Sequence, residues 1–324
     1  MSKKTGKRGG NTDKTVLKGD VIAKYLWELG YSDDYQGMQY IRLEMSGTKL
    51  EALNNALLEV KHLKYLNFTD NKLADVTLLQ QFDQLVYLGL NSNKIKNLNA
   101  FTSEEGFPKL RKLELSDNSI SELIPITPPK LEYLEINDMK IDKYETWTGH
   151  PTIRILKAED NKFKSLSVIK DMPMLEEAYL SGNQINSFSG YDNVGSLKKL
   201  ILQRQKVDKI EEELPEMPAL ETLDLSENRI NSLDDLKNIF QFATLTDLNI
   251  LGTPLETNAT SFNMLLAEIM ILFHGLGRFW EVDVTEQHKY EGLYLAEYRW
   301  RKAEEERLRK EEEERLKAEA EGAD

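Results

Sequence analysis

No cysteine occurs among the 324 residues. Disulfides, thiolate metal sites and cysteine nucleophiles are thereby excluded. Histidine is nearly as scarce. His62, His150, His274 and His288 are scattered, and none stands at a metal-ligand spacing from another histidine or a close acidic pair. Long apolar runs are missing as well: the longest, Met264 to Phe273, is broken by Glu268 and falls far short of the roughly 20 residues a membrane-spanning helix needs. No apolar stretch follows Met1-Ser2-Lys3-Lys4-Thr5-Gly6-Lys7-Arg8, so no secretory signal is expected and the chain reads as soluble and cytoplasmic. An excess of basic residues is also absent. A net charge of −13 opposes general attraction to nucleic acid or anionic lipid.

Catalytic motifs are equally lacking. Gly275-Leu276-Gly277 resembles part of a phosphate loop but has no Lys-Ser/Thr to reach a phosphate, and reads as a turn. There is no Gly-Xaa-Ser-Xaa-Gly elbow and no kinase signature. No enzyme is expected, and no catalytic, cofactor-binding or metal-binding residue, cofactor or small-molecule substrate is assigned.

What the chain does have is a frame repeated ten times: apolar, two residues, apolar, one, apolar, two, often Asn, one, apolar. Leu85-Leu88-Leu90-Asn93-Ile95, Leu110-Leu113-Leu115-Asn118-Ile120 and Leu220-Leu223-Leu225-Asn228-Ile230 show it most clearly. Copies begin at Tyr40, Leu63, Leu85, Leu110, Leu131, Ile153, Leu175, Leu197, Leu220 and Leu245, a step of 21 to 25 residues. That period and consensus are those of a leucine-rich repeat. The fold class is therefore an α/β leucine-rich repeat solenoid: curved, with parallel strands on its concave side and short helical or three-ten segments on its convex side. Helical caps close it, and a charged C-terminal helix follows. A single body of this kind accommodates the length.

Five segments follow. Residues 1–18, rich in Lys, Gly and Thr, predict a disordered basic tail. Residues 19–39 form an N-terminal capping segment. Within it Asp20 suits an N-cap, Val21, Ile22, Tyr25, Leu26 and Leu29 share a helical face over 20–29, and Gly30 suits a left-handed C-terminal cap. The array runs over 40–256 and a C-terminal cap over 257–285. In that cap Phe262, Leu265, Leu266, Ile269, Met270 and Phe273 make an amphipathic helical stripe, followed by Phe279 and Trp280. A charged helical extension occupies 286–324, with Glu305/Arg309, Glu306/Lys310, Glu311/Arg315 and Glu313/Lys317 at i,i+4. Leu308 and Leu316 are its only large apolar residues beyond Arg301, so a coiled-coil seam is not expected.

Inside the array, Asn71, Asn93, Asn118, Asn161, Asn183 and Asn228 take the one buried polar position, where an amide can bond loop backbone on both sides. Thr48, Met139, Gln205 and Thr253 replace it elsewhere. Met139 cannot bond the loop, and Pro125, Pro128 and Pro129 precede it, so the fifth repeat should be locally irregular. After the frame, apolar residues recur about every third position, as in Leu73, Val76, Leu79, Phe82 and in Ile185, Phe188, Tyr191, Val194, which suits three-ten turns or one compact helix.

Strand alternation sends Leu88 and Leu90 inward and Tyr87, Gly89 and Asn91 outward. By the same rule Tyr65, Tyr87, Lys112, Glu114, Tyr133, Glu135, Tyr179, Lys199, Gln203, Asp224 and Asp247 line the concave face. Asp70, Asp117, Asp138, Asp160 and Glu227 lie just beyond it. Tyrosine among carboxylates suits protein binding, giving rigid contact area with charge to select the partner. Tyr65, Tyr87, Glu114, Tyr133, Glu135, Tyr179 and Asp224 are the assigned partner contacts on this face. Tyr294, Tyr298 and Trp300 are those of the C-terminal extension.

The 22-residue type of repeat resembles that of the intracellular proteins named for the mitotic phosphatase-1 regulator. Gly252-Thr253-Pro254-Leu255, the helix at 262–273, Leu276 to Asp283 and Val284-Thr285 look like the cap that follows such arrays, with Thr253 and Phe262 in place of the usual Asn and Tyr. A charged start, an array of this length, the cap and a Glu/Arg-rich helix are together similar to the axonemal leucine-rich repeat proteins of the ciliary radial spoke. The resemblance implies a non-enzymatic structural subunit of the axoneme. Its partners would be other proteins, radial-spoke subunits among them, with no nucleic acid and no membrane. A regulatory module that docks a phosphatase catalytic subunit on the concave face is the competing reading.

Overall fold

The computed structural model describes residues 17–31 and 37–321. The basic tail predicted for 1–18 lies outside the described residues except at its end, where Leu17 is buried and Lys18 leads into the first turn. The chain divides into two compact units. Unit 1 runs to Phe163 and takes in Val168–Tyr179; unit 2 holds Lys164–Ser167 and everything from Leu180 onward.

Unit 1 opens with the helical turn α1 (Gly19–Ile22), a three-ten turn (Ala23–Tyr25) and the strand β1 (Leu26–Tyr31). β1 runs antiparallel to β2 (Met38–Glu44). From β2 the strands pair in parallel: β3 (Tyr65–Asn67), β4 (Tyr87–Gly89), β5 (Lys112–Glu114), β6 (Tyr133–Glu135), β7 (Ile155–Lys157) and β8 (Glu177–Tyr179). Unit 2 continues the pattern with β9 (Lys199–Ile201), β10 (Thr222–Asp224), β11 (Asp247–Asn249) and β12 (Arg278–Phe279), and β13 (Val282–Asp283) folds back antiparallel on β12. The middle residue of each short strand points to the core. Leu43, Leu66, Leu88, Leu113, Leu134, Leu156 and Ala178 stand in register in unit 1, as do Leu200, Leu223, Leu248 and Phe279 in unit 2, and all are buried. Burial of one such leucine contributes about 1.5–3 kcal/mol.

The asparagines do what an amide can do here. Asn118 donates to Leu90 O at 3.0 Å and to Leu115 O at 2.6 Å, while its oxygen accepts from Ile95 N at 3.0 Å. Asn71 bridges Met45 O and Leu50 N in the same way, Asn161 bridges Ile136 O and Ile141 N, and Asn228 bridges Leu202 O and Val207 N. Gln205 substitutes fully, donating to Leu180 O at 2.6 Å and accepting from Ile185 N at 3.0 Å. Met139 offers no amide, yet β6 keeps its register and Asp138 N still reaches Glu159 O at 3.0 Å. In the fifth repeat the backbone turns left-handed at Lys140, directly after Met139, with φ of 60°, and again at Gly149, with φ of 76°.

The returning segments are three-ten turns at Asn55–Val60, Thr77–Gln81, Asn99–Phe101, Leu166–Ile169 and Leu233–Gln241. The stretch around Ile185 and Val194 departs from the reading: its four apolar residues are buried, but no helix forms there. Gly190 and Asn193, at φ of 92° and 50°, bend the backbone out of any helical course.

The helix predicted over 20–29 is corrected. Only residues 19–25 turn helically, and Leu26 onward is strand. Gly30, read as a helix cap, pairs with Gln39 inside β1. The physical reason is the exposed edge of β2. Its backbone N–H and C=O groups need partners, and an antiparallel strand supplies them, whereas a helix would leave them bare. Sequence periodicity alone was ambiguous, since Trp27, Leu29 and Tyr31 also fit a period of two. The N-terminal cap is thus a hairpin.

At the other end α2 (Pro254–Thr257) begins at Thr253, whose buried hydroxyl donates to Ile250 O at 2.8 Å and takes the place of the asparagine. α3 (Phe262–Leu272) is the predicted cap helix, with Ser261 Oγ accepting from Met264 N at 3.2 Å and Leu265, Leu266, Ile269 and Met270 buried. Phe279 and Trp280 do join it, but from the unpredicted hairpin β12–β13, with the Trp280 ring tilted against that of Phe262 at 4.8 Å between centroids. α4 (Glu286–Glu321) then packs on α3. Gly292 permits the approach: a Cβ there would lie 2.6 Å from Met270 Cβ. Arg299 also pairs with Glu268 across the two helices.

Candidate interaction surfaces

The strand face of unit 1 is built by the alternation described above. Residues flanking each buried leucine point away from the core and stack in columns at strand spacing. One column reads Arg42, Tyr65, Tyr87, Lys112, Tyr133, and its cations lie against its rings. The Arg42 guanidinium lies 4.8 Å from the Tyr65 ring and 5.5 Å from that of Trp27. Lys112 Nζ sits 4.4 Å from the Tyr133 ring and 5.7 Å from that of Tyr87. From the next column Lys157 lies over Tyr133 at 5.7 Å and Tyr179 at 5.5 Å. Each such contact contributes about 0.5–1 kcal/mol at an exposed site.

The assigned residues fall into place unevenly. Tyr65, Tyr87, Glu114, Tyr133, Glu135 and Tyr179 lie together on this face, half-buried. The hydroxyls of three of the tyrosines are already engaged. Tyr87 donates to Glu114 at 2.7 Å, Tyr133 to Glu135 at 2.6 Å and Tyr179 to Glu177 at 2.6 Å. Glu135 also accepts from Ser116 at 2.9 Å, and Glu114 pairs with Lys112 at 2.8 Å. Burial raises the Tyr87 and Tyr133 hydroxyls well above the ordinary tyrosine range, and the carboxylates they bond to add to the shift, so both remain donors. The face is therefore a pre-ordered surface of rings rather than a field of loose charges. Gly89, read as outward-facing, is buried on this face rather than exposed.

Asp70, Asp117, Asp138 and Asp160 follow the strands as a rim, and the structure shows why Asp recurs there. All four have φ between 52° and 55°, one residue before the buried asparagine position, and Asp tolerates the left-handed conformation better than most residues. The row therefore has a backbone cause of its own. It also has an electrostatic cost. Asp138 is held above the usual carboxylate range by burial and by Asp160 and Asp117 beside it. A carboxyl whose folded pKa is raised binds its proton more readily in the folded state, so its contribution to stability falls as pH rises through that pKa. Asp138→Asn is accordingly expected to raise the urea midpoint slightly at pH 7, the effect being small because solvent screens the row. The gain should shrink as the pH falls through the carboxylate range. An equal gain at pH 7 and pH 4 would sink this account.

In unit 2 the strand face is different. Asp224 accepts from Ser226 N at 2.8 Å and from Asn249 at 3.0 Å, and no aromatic column continues through β9 to β11. Asp247 is raised by burial, with Arg278 opposing. Asp224 is therefore a structural acceptor as much as a surface charge.

The three extension residues do not share one face. Tyr294, 62% exposed, joins Tyr290, Leu295, Met264 and Ala267 around an apolar groove of about 330 Å³ between α3 and α4. Tyr298 lies under Lys302 at 5.2 Å. Trp300, six residues beyond Tyr294, is turned roughly 240° away from it around the helix. The ion pairs along α4 include Arg307–Glu311 and Arg309–Glu313, in which the cation precedes the acid, the reverse of the predicted order. Sequence reasoning missed the hairpin face altogether: Trp27, Leu29, Tyr31, Met38 and Tyr40 are all strongly exposed. The period-two spacing of Trp27, Leu29 and Tyr31 was the available signal.

Among the described residues no group of three His, Asp or Glu side chains could hold a metal ion, and no helix is long and apolar enough to cross a membrane.

Comparison with known proteins agrees with this architecture. Residues 61–76 and 109–131 each match a family model described as a leucine-rich repeat. Human leucine-rich repeat-containing protein 23 is 23% identical over 218 residues, covering 61% of this chain and 63% of that protein. The chicken Toll-like receptor 2 type-1 is 26% identical over 159 residues, 47% of this chain, but the match spans only 20% of the receptor. The solved TLR13–ssRNA13 complex superposes with a TM-score of 0.60 at 19% identity, over 75% of this chain and 36% of that one. The chain thus spans less than two thirds of the length of these relatives. The repeats are leucine-rich repeats, the fold is a leucine-rich repeat solenoid, and neither matching model describes a catalytic family.

Proposed function

We infer that this chain of leucine-rich repeats is a structural subunit of the ciliary axoneme that helps assemble or anchor a radial spoke. The order of elements carries the reading: a repeat array, the α3 cap, then a long Glu/Arg-rich helix in the manner of the axonemal leucine-rich repeat proteins. The likeness to leucine-rich repeat-containing protein 23, over 61% of the chain, supports it. Mechanistically, the tyrosine column of unit 1 grips a helix or loop of a neighbouring subunit, and α4 lies along another. Two attachment points on one chain gain avidity without any single strong contact.

Tagged full-length protein in ciliated cells is expected to fractionate with detergent-extracted axonemes and to be released only by high salt. A chain lacking residues 286–324 should incorporate at least several-fold less well. Retention of the full chain in the soluble cell body would sink the ciliary reading. Undiminished partner binding by the shortened chain would favour a regulatory module of the phosphatase-1 kind, docking its partner on the strand face alone.

A further inference from the structure

Charge is shared unevenly over unit 1. Its strand face consists of the outward residues of β2 to β8 and of the rim that follows the strands. Five glutamates and the four rim aspartates stand there against three cations, Arg42, Lys112 and Lys157. The other described residues of unit 1 carry sixteen cations and fourteen carboxylates, so the surplus of negative charge belongs to this face alone.

The three cations are committed to the rings. Arg42 lies over Trp27 and Tyr65, Lys112 over Tyr87 and Tyr133, and Lys157 over Tyr133 and Tyr179. Glu135 takes its hydrogen bonds from Tyr133, Ser116 and Asn91, all of them uncharged. Lys72 and Lys162, just past the rim, pair with Glu51 and Asp142 outside it. Along the rim, burial and then Asp160 and Asp117 hold Asp138 above the usual carboxylate range. A cation laid along the row relieves that repulsion, and charge of this kind selects a partner of opposite sign.

The rings supply the rest of the surface. Tyr65 and Tyr87 lie 6.5 Å apart between centroids. Gly89 leaves the room in which the Tyr87 hydroxyl reaches Glu114: a Cβ there would lie 2.6 Å from that oxygen. Lysine and arginine stems suit such rings, because they cover apolar surface while their charged heads stay at its margin.

We propose that the occupant of this face is a basic segment of a partner protein, its lysine or arginine heads on the aspartate rim and their stems on the tyrosine rings. This rests on the reading of the tyrosine column as a grip and names the chemistry of what is gripped. Axonemal fractionation reports on the location and the measurement below on the face, so either can fail without the other.

Fluorescence anisotropy of a labelled peptide titrated with the full chain tests it. The peptide is alanine-based, about 18 residues long with lysine at every fourth position, so that as a helix it runs roughly 27 Å and spans β3 to β7. The wild type is expected to bind it with a dissociation constant on the order of 10–100 μM at about 50 mM salt, and more weakly as salt rises. Asp117→Asn combined with Asp138→Asn and Asp160→Asn should weaken binding by at least about ten-fold. Asparagine accepts the left-handed backbone of the rim, so this variant keeps its fold. Asp83→Asn combined with Glu104→Gln and Glu105→Gln removes the same charge from exposed positions off the face, and should change binding by less than about two-fold. Tyr65→Ala should weaken it by at least about three-fold. The same peptide with glutamate in place of lysine should not bind. A wild type that ignores the lysine peptide, rim and control variants that weaken binding equally, Tyr65→Ala at wild-type affinity, or a glutamate peptide that binds as well overturns the proposal.

Discussion

Gly149→Ala is expected to lower the stability of unit 1 by about 3–5 kcal/mol. Gly149 has φ of 76°, where an L side chain is strained by about 1–2 kcal/mol. Space compounds the problem. A Cβ on Gly149 would lie 2.0 Å from Lys170 O and 2.8 Å from Asp171 O. Both are backbone atoms, which cannot swing aside as a flexible side chain would. The connection carrying them must therefore move, and with it Trp147, whose indole N–H donates to Val168 O at 2.8 Å. Chemical denaturation followed by tryptophan fluorescence measures the loss. Gly195→Ala is the control: an added Cβ there meets nothing within 4 Å, and its midpoint should shift by less than about 1 kcal/mol. If Gly149→Ala unfolds at the wild-type midpoint, the close approach does not exist as described.

Asn118→Ala should cost about 3 kcal/mol, because it strands backbone groups rather than removing one bond. The buried amide serves Leu90 O, Leu115 O and Ile95 N at once, joining two consecutive turns of the array. Alanine leaves Leu115 O and Ile95 N without this partner, at roughly 1–3 kcal/mol for each that water cannot reach, while Leu90 O keeps its bond from Asn93 at 3.0 Å. Asn97→Ala provides the contrast. That exposed side chain accepts from Asn99 N at 3.1 Å within its own turn, and its loss should cost below about 1 kcal/mol. Urea unfolding of the two variants side by side checks the difference. Equal midpoints would mean that the asparagine column is ornamental and the strand ladder alone holds the turns.

Much of the fold was legible because its causes are periodic. Leu63, Leu85 and Leu110 announce their turns by spacing, and the alternation within each strand told which side of Tyr65, Tyr87 and Tyr133 would face out. The α3 stripe from Phe262 to Phe273 was equally plain, being apolar at helical spacing between Ser261 and Gly275. Legibility failed at the ends. Residues 26–31 fit a helix face and a strand face alike, and only the unpaired edge of β2 decides between them. Trp300 and Tyr294 looked like one patch in the sequence, although helix geometry turns them to different sides. The ring-over-cation column could not be read either: the contacts of Lys112 with Tyr87 and Tyr133 join strands 25 and 21 residues apart, through a register that no local pattern states.

The sequence by itself determined the repeat, its period, the buried asparagine position and the cap helix. Each of these is a demand that one turn of chain makes on itself or on an identical neighbour. Only the tertiary structure decided that Tyr87 and Tyr133 are tied to Glu114 and Glu135 and that the N-terminal cap is a hairpin. It also decided that Trp27, Leu29, Met38 and Tyr40 are left uncovered. Those outcomes depend on which side chains from different turns come within a few ångströms of each other. That distance is set by strand register and by the needs of unpaired edges, and neither has a signature along the chain.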